Sequence, residues 1–214
     1  MTKLILLVPL LITGLALIGC GATTKEIRAK TQSERTDVFR EVTTEGTPPQ
    51  GFVDIVIRSS IKTHIEGCYP FEPKESLHGK PGYPFILNID GQAVTWNVDG
   101  QTDSKPKHDK NGQAIADPEA GEGIKYVLEK KIRLNGGGAH NIFFGLPEEE
   151  YALEVDLLFN DGQSYVLEFK PVYNAAKGRY SIRKSERFKE CEAFIKGIKK
   201  YEVFLDGSPI MLKS

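Results

Sequence analysis

The chain has 214 residues, of which 40% are hydrophobic and 27% charged, a composition typical of a globular protein rather than a disordered or fibrous one. Its formal net charge is −1, and no stretch interleaves Lys or Arg with aromatic residues, so we expect no nucleic-acid partner. The mean hydropathy of −0.31 excludes a protein with many membrane-spanning helices.

The first twenty residues have the pattern of an export signal. Lys3 is followed by an apolar run of about 15 residues, whereas a membrane-spanning helix needs about 20. The run ends in Leu17-Ile18-Gly19-Cys20, which resembles a lipobox, the site at which lipoprotein signal peptidase cuts before a cysteine. The resemblance implies a signal helix over residues 1–19. The alternatives are an uncleaved helix and an ordinary secretory signal with an incidental cysteine.

Lipid attachment at Cys20 is the main consequence of this resemblance. Acyl chains on Cys20 would hold the chain stably on a membrane. Gly21 resembles an outer-membrane sorting signal, so we expect the outer membrane, or the cell membrane in a host with a single membrane. Residues 20–50 are polar, with apolar residues too sparse for a core, and are predicted to be a flexible spacer.

Two further cysteines, Cys68 and Cys191, form an even pair in the oxidising compartment that an export signal implies. A disulfide between them would stabilise the fold by about 4–5 kcal/mol in the chain-entropy model. The alternative is a pair of reduced, buried thiols, because free cysteine packs well as a small hydrophobic residue. The sequence leaves both alternatives open.

A half-buried strand is predicted near the start of the folded domain, which we place over residues 51–214. Apolar and polar residues alternate from Val53 to Ile65, and many are β-branched, which is typical of a strand with one buried face. The other face is predicted to be exposed to solvent. It carries Asp54, Arg58, Lys62 and His64.

Two tight turns are predicted to join hairpins. The first is the two-residue loop Asp90-Gly91, and the second is the three-residue loop Asn160-Asp161-Gly162 with Gly162 in the left-handed conformation. The pairs predicted for the first are Leu87 with Val94 and Phe85 with Trp96. Those predicted for the second are Leu157 with Tyr165, Val155 with Leu167 and Leu153 with Phe169. Further strands are predicted at residues 126–134, 140–144 and 201–207.

Residues 99–123 differ in composition, because Asp, Gly, Lys, Pro and Asn dominate there. We predict a long exposed loop, and loops of this length in compact domains are usually functional or disordered. Asp109, Asn111 and Asp117 are weak candidate ligands for Ca²⁺, although their spacing is not that of an EF-hand. The alternative is a solvated turn at Asn111-Gly112, and we expect no cofactor.

The predicted fold is all-β. About seven short strands with Gly-containing turns, and no alternation of strands with helices, favour an immunoglobulin-like antiparallel β-sandwich. Apolar residues recur at helical spacing after Ser185, which predicts a short C-terminal helix over residues 185–197.

The hairpin and a later turn resemble the PEGA-type domains of bacterial surface and periplasmic proteins. Asn88-Ile89-Asp90-Gly91 matches the first part of that pattern, and Gly136-Gly137-Gly138-Ala139-His140 roughly matches the Gly-His turn of the second. Residues 201–207 resemble the opening strand again. The resemblance implies a small immunoglobulin-like or transthyretin-like sandwich that serves attachment and binding. The whole chain also resembles uncharacterised bacterial lipoproteins.

No catalytic constellation is evident. None of the histidines at positions 64, 78, 108 and 140 falls in a short-spaced metal motif, and a strand histidine such as His64, even four residues before Cys68, is usually solvated. Glu148-Glu149-Glu150 is predicted to be a solvated turn. There is no Gly-x-Ser-x-Gly elbow, so we expect no enzyme.

The expected function is that of a lipid-anchored module that binds or supports a protein partner in the cell envelope. One alternative is a lipoprotein that binds a small ligand or Ca²⁺ through residues 99–123. A second alternative is a lipid-anchored hydrolase.

Overall fold

A computed structural model of the chain describes residues 24–43, 46–66, 72–174, 194 and 196–211. The strands are β1 (Phe39–Glu41), β2 (Phe52–Thr63), β3 (Tyr83–Ile89), β4 (Gln92–Val98), β5 (Gln101–Lys105), β6 (Gly121–Asn135), β7 (Gly138–Leu146), β8 (Tyr151–Phe159), β9 (Ser164–Tyr173), β10 (Ile198–Leu205) and β11 (Ser208–Ile210). The helices are α1 (Thr24–Lys30) and a 3-10 helix (Pro147–Glu149). No helix in these ranges is long and apolar enough to cross a membrane.

The strands form two sheets, which confirms the all-β expectation at this level. The first sheet has the order β1-β6-β2-β9-β10-β11, with β5 also paired to β6, and the second has the order β4-β3-β7-β8. The expectation of purely antiparallel pairing is wrong at one place, because β2 and β9 are parallel. Parallel neighbours need a long crossover, and here the chain between them includes every strand of the second sheet.

The hairpin predicted at Asp90-Gly91 is confirmed. β3 and β4 are antiparallel, with Leu87 opposite Val94 and Phe85 opposite Trp96. Asp90 has φ 48° and Gly91 has φ 91°, as a two-residue turn that follows the twist of its strands requires.

The hairpin predicted at Asn160-Asp161-Gly162 is wrong. β8 pairs with β7, whereas β9 pairs with β2 and β10, so this turn carries the chain from one sheet to the other. Gly162 does have the predicted left-handed conformation, with φ 72°. The alternation of apolar residues shows only that both strands face a core, and two opposed sheets satisfy that pattern as well as a hairpin does.

The core lies between the sheets and draws buried apolar side chains from both. Phe144 of β7 stacks on Phe169 of β9, with ring centroids 4.2 Å apart and ring planes inclined by 6°. Tyr201 of β10 meets Phe144 edge-on at 5.4 Å. Such aromatic contacts bury large apolar areas, and these contacts join the second sheet to the first.

The segment expected to be a spacer, residues 20–50, contributes to the fold from Thr24 onward. Phe39 of β1 lies opposite Leu134 of β6, and both Val38 and Phe39 are buried in the core. Ile27 of α1 is also buried. The prediction that these apolar residues are too sparse for a core is wrong, because the surfaces that cover them come from strands distant in sequence.

The exposed loop predicted over residues 99–123 is shorter in the structure. β5 occupies Gln101–Lys105 and pairs with β6, which begins at Gly121. β5 pairs with β6 but is not part of the continuous strand order given above. A strand at such a position can be polar on both faces, so its composition resembles that of a loop.

Asp54 corrects the prediction that the polar face of β2 is exposed. Its side chain is fully buried and accepts two bonds from the Arg133 guanidinium, at 2.6 and 3.0 Å, with Lys131 Nζ at 2.9 Å. These hydrogen bonds, that from Arg133 above all, hold the pKa of the Asp54 carboxyl below its ordinary value. A buried carboxylate needs such partners to stay charged.

Lys62 is the second buried charge on the same face of β2. Its Nζ donates to Asp103 Oδ2 at 2.9 Å and to the backbone carbonyl oxygens of Glu119 and Gly121 at 2.9 and 2.8 Å. The alternating pattern of β2 is therefore correct, but its polar face is not solvated at Lys62, where the Phe194 ring also lies 5.5 Å from Nζ.

Several expectations concern residues outside the described ranges. They are the signal helix over residues 1–19, lipidation at Cys20, the state of Cys68 and Cys191, and most of the helix predicted over residues 185–197. Of that last segment, Phe194, Lys196 and Gly197 are described and have no regular structure.

Candidate functional site

A cleft of about 570 Å³ lies where β2 ends, between the segment 72–78, the 3-10 helix and the start of β10. The titratable residues that line it are Lys62, His64, Glu72, Glu75, His78, Glu148, Glu149, Glu150 and Lys196. Five carboxylates thus face two lysines. Both lysines already donate to backbone carbonyl oxygens, and Lys196 Nζ lies 2.8 Å from that of Pro118. The cleft therefore has an electrostatic preference for cations.

His64 is placed in the cleft by the end of β2. Its Nδ1 lies 3.1 Å from the backbone carbonyl oxygen of Ile65. A carbonyl oxygen only accepts, so Nδ1 carries the proton in this contact, and in the neutral ring Nε2 carries the lone pair. Nε2 lies 3.2 Å from Glu72 Oε1 and 3.3 Å from His78 Nδ1.

His78 lies in a tight turn that is hydrogen-bonded to β6 and to the end of β2. The Tyr126 hydroxyl on β6 donates to the carbonyl oxygens of Leu77 and Lys80, at 3.3 and 2.8 Å. The Gly79 N–H donates to Thr63 Oγ1 at the end of β2, at 3.1 Å. Leu77 and Gly79, on the two sides of His78, are thereby held to β6 and to the end of β2, directly before His64.

Gly79 is required at its position in this turn. Its φ is +74°, and a Cβ built on it would lie 2.4 Å from the backbone nitrogen of Glu66. Any other residue would combine a strained backbone with a clash that only a shift of the chain could relieve. The approach of the 77–80 turn to the end of β2 depends on this glycine.

Glu149, on the 3-10 helix, orients the His78 ring by contacting its Nε2 atom. Glu149 Oε1 lies 2.7 Å from His78 Nε2 and accepts a bond of 2.9 Å from the Tyr83 hydroxyl. Burial and the Glu149 carboxylate raise the pKa of Tyr83 well above its ordinary value, so its hydroxyl remains a donor. With Nε2–H directed at Glu149, His78 presents Nδ1 to the cleft.

The pKa of His78 is raised above that of an exposed histidine. Burial alone would lower it, but the hydrogen bond to Glu149 and the negative charges of Glu149, Glu72 and Glu148 outweigh that effect. The surroundings of this imidazole therefore stabilise a positive charge, whether a proton or a metal ion supplies it.

Glu72 completes the cluster that we call the histidine triangle, formed by His64 Nε2, Glu72 Oε1 and His78 Nδ1. Glu72 Oε1 lies 3.2 Å from each of the two nitrogens and accepts a hydrogen bond from the Ser76 hydroxyl. All three side chains are largely buried, with exposed fractions between 10% and 23%. Among the described residues, this is the group of three or more His, Cys, Asp or Glu side chains whose ligand atoms converge.

Two of the three calcium candidates, Asp109 and Asp117, have other partners. Asp109 Oδ1 accepts the backbone N–H groups of Asn111 and Gln113, at 2.8 Å each. Asp117 Oδ1 accepts the N–H of Glu119 at 2.7 Å, and its Oδ2 lies 3.5 Å from Lys105 Nζ. Asp109 and Asp117 thus make the side-chain to backbone hydrogen bonds that stabilise turns. The ammonium of Lys105 already supplies a positive charge beside Asp117.

The sequence prediction missed the residues of this cleft. His64 and Glu149 were both expected in solvent, on the polar face of a strand and in a charged turn. No short motif joins them, because His64 directly follows β2, His78 lies in a loop and Glu149 lies on the 3-10 helix. The available signal was a Gly-containing turn that carries His78 fourteen residues after His64, which directly follows β2. Comparison with models of known families, with curated proteins and with solved structures finds no match for this chain.

Proposed function

We propose that this chain is a lipid-anchored binding protein of the cell envelope and that its binding site is the cleft that contains the histidine triangle. The observation that carries the binding role is the convergence of His64, Glu72, His78 and Glu149, all largely buried, in one cleft. Polar groups that converge in a concave site, with a perturbed histidine pKa among them, are the usual mark of a binding site.

The anchor is supported by the pattern of the first twenty residues, with Cys20 as the lipid attachment point and the outer membrane as the expected location. The described residues begin at Thr24, the start of α1, and the Thr24 hydroxyl donates to Glu150 Oε1 at the cleft, at 3.0 Å. The cleft would therefore work close to a membrane surface, where a protein partner of the envelope can reach it.

The finer assignment to the immunoglobulin-like or PEGA-like class is also part of the proposal. It is supported by the Asp90-Gly91 hairpin and by the pairing of β7, which begins at Gly138 and includes His140, with β3. The parallel pair of β2 and β9 departs from an entirely antiparallel sandwich. The second sheet therefore supports this class assignment better than the first sheet does.

A hydrolase is the second candidate function, and the observation that favours it is the contact of 2.7 Å between His78 Nε2 and Glu149 Oε1. A binding role comes first because Glu149 Oε1 is shared with the Tyr83 hydroxyl and Glu72 Oε1 is shared between two imidazoles. These contacts orient the rings, whereas a general base needs a carboxylate or an imidazole directed at a substrate.

The anchor and the partner are tested together in intact cells. We would label cells with a palmitate analogue, fractionate their membranes, and identify cross-linked partners by mass spectrometry for the wild-type chain and for Cys20→Ala. We expect the label, membrane association and a defined partner set in wild type, and their loss in the variant. Equal fractionation of both chains, or label retained by Cys20→Ala, would contradict the anchor. Absence of cross-linked partners from correctly located wild-type protein would contradict the partner role.

A further inference from the structure

We infer that the histidine triangle is a binding site for a divalent transition-metal ion of the zinc type, with His64 Nε2, His78 Nδ1 and Glu72 Oε1 as ligands. This inference rests on the proposed function in one respect, since it names the chemistry of what the cleft binds. The metal site itself depends on the geometry of the described residues and not on the lipid anchor.

The first argument is the size of the triangle. Its sides are 3.3 Å between the two nitrogens and 3.2 Å from each nitrogen to the carboxylate oxygen. Zinc binds histidine and carboxylate at about 2.0–2.1 Å in tetrahedral geometry, which puts neighbouring ligand atoms about 3.3 Å apart. The three atoms therefore already have the spacing of three corners of a zinc tetrahedron.

The second argument is the direction of the protons on the two rings. His64 Nδ1 faces the carbonyl oxygen of Ile65, and His78 Nε2 faces the carboxylate of Glu149. Histidines that bind metals almost always donate their second N–H to a carbonyl or carboxylate in this way, which fixes the tautomer and the ring orientation. In neutral rings this arrangement directs two nitrogen lone pairs and a carboxylate oxygen at one another, so a cation between them is favourable.

The third argument is the rigidity of the scaffold. His64 follows directly from β2, while His78 sits in the turn that Tyr126 and Thr63 hold through the bonds described above. The Leu77 N–H also donates to Glu148 Oε2 at 3.0 Å, which ties the turn to the 3-10 helix. Ligands held before the ion arrives lose little conformational freedom on binding, which favours affinity.

The donor set selects the class of metal. Two imidazoles and one carboxylate suit zinc and its first-row neighbours, whereas Ca²⁺ prefers six to eight oxygen ligands and Mg²⁺ keeps several waters. The excess of carboxylates around the triangle adds attraction for a dication. The competing occupant of the triangle is a proton, and the metal titration below distinguishes it from zinc.

The test uses the full chain, purified in detergent, stripped with a chelator and titrated with Zn²⁺ against a chromophoric competitor. We expect one zinc ion per wild-type chain and affinity weakened more than about 100-fold in His64→Gln, His78→Gln and Glu72→Gln, because each removes one ligand. The controls are His108→Gln and His140→Gln, which remove histidines outside the cleft and should bind zinc like wild type. Millimolar Mg²⁺ or Ca²⁺ should not displace the zinc.

Wild-type chain that takes up no stoichiometric zinc overturns the inference, and so do ligand variants that bind as tightly as the controls. Where a ligand variant fails to fold, the visible spectrum of Co²⁺ bound to the wild-type chain identifies the type of ligand. Tetrahedral nitrogen and oxygen ligation gives intense visible bands, whereas thiolate ligation adds strong near-ultraviolet absorption. A thiolate spectrum also overturns the assignment. Zinc binding without membrane association would contradict the proposed anchor alone, and membrane association without zinc binding would contradict only the metal site.

Discussion

The Nε2 atom of His64 and the Nδ1 atom of His78 lie 3.3 Å apart, although fourteen positions separate the two residues in the chain. Each ring is oriented from its far side, by the carbonyl oxygen of Ile65 in one case and by the Glu149 carboxylate in the other. The contact between the rings is thus the result of two independent supports, of which the Glu149 side chain can be tested by substitution.

Glu149 is the support whose removal should weaken metal binding without removing a ligand. In Glu149→Gln the hydrogen bond to His78 loses its charge, and loss of such a partner behind a ligating histidine typically costs about 10–100-fold in metal affinity. The measurement is the zinc competition titration. Glu150→Gln is the matched control, because it removes the same charge from an exposed residue of the same cleft and leaves the bond between Glu149 and His78 in place. Equal affinity of the two variants would show that Glu149 does not position His78.

Replacing Gly79 even by alanine, which adds only a Cβ, should lower the free energy of unfolding. We expect Gly79→Ala to destabilise the chain by about 3 kcal/mol, because a positive φ is strained for alanine and the new Cβ meets the backbone of Glu66. Gly112→Ala is the control, with a similar φ of +77° and nothing within 4 Å, and should lose only about 1 kcal/mol. Urea unfolding measures both. Equal losses would mean that the clash at Gly79 is relieved without cost.

Asp54 should govern stability in acid. Removing the charge in Asp54→Asn removes the buried counter-ion of the partly buried Arg133, and we expect a loss of about 3 kcal/mol at neutral pH. Asp37→Asn is the control, because Asp37 makes the same kind of paired bond with Arg35 but is exposed. Its effect should be much smaller, since exposed ion pairs contribute little.

The pH dependence of the Asp54 effect follows from the direction of its pKa shift. The folded pKa is lowered, chiefly by the Arg133 hydrogen bond, so the unfolded chain takes up a proton first as the pH falls. The stabilisation is complete above the unfolded pKa of about 3.9 and is lost as the pH falls through the lower, folded value. The gap between wild type and Asp54→Asn should therefore be constant from about pH 7 to 5 and shrink below about pH 4. A gap that grows in acid would contradict this assignment.

The stacked pair Phe144 and Phe169 should be central to the packing of the two sheets. Replacement of either by Ala should cost about 3–5 kcal/mol, because each leaves a cavity between the sheets. The double variant should show a coupling of about 0.5–1.5 kcal/mol beyond additivity, which is the usual range for an aromatic pair. Leu158→Ala, at a side chain that is 70% exposed, should change stability by less than about 0.5 kcal/mol. Additive losses would mean that the two rings do not act as a pair.

The local parts of the fold could be predicted from sequence, and the long-range parts could not. The register around Asp90-Gly91 was correct because turn chemistry and cross-strand packing act over about ten residues. The turn at Asn160-Asp161-Gly162 has the same local signals, but its strands join different sheets. Nothing within those residues distinguishes a hairpin from a crossover, because the choice depends on where β2 and β7 lie.

The same limit explains why the histidine triangle escaped prediction. The predicted strand ran to Ile65 with His64 on a solvated polar face, whereas β2 ends at Thr63 and His64 is buried. Loops from distant parts of the chain cover the end of β2, and burial of His64 depends on them. Metal ligands supplied by separate loops leave no short spacing pattern, in contrast to sites built within one helix or one tight turn.

The most direct test of the central claim is X-ray absorption at the zinc edge of the zinc-loaded wild-type chain. The geometry of the cleft leads us to expect nitrogen and oxygen neighbours at about 2.0–2.1 Å, with the outer-shell scattering of two imidazole rings. That spectrum should weaken to one imidazole in His78→Gln and stay unchanged in His140→Gln. A shell dominated by sulfur at about 2.3 Å, or a spectrum without imidazole scattering, would contradict the assignment of His64, Glu72 and His78 as the metal ligands.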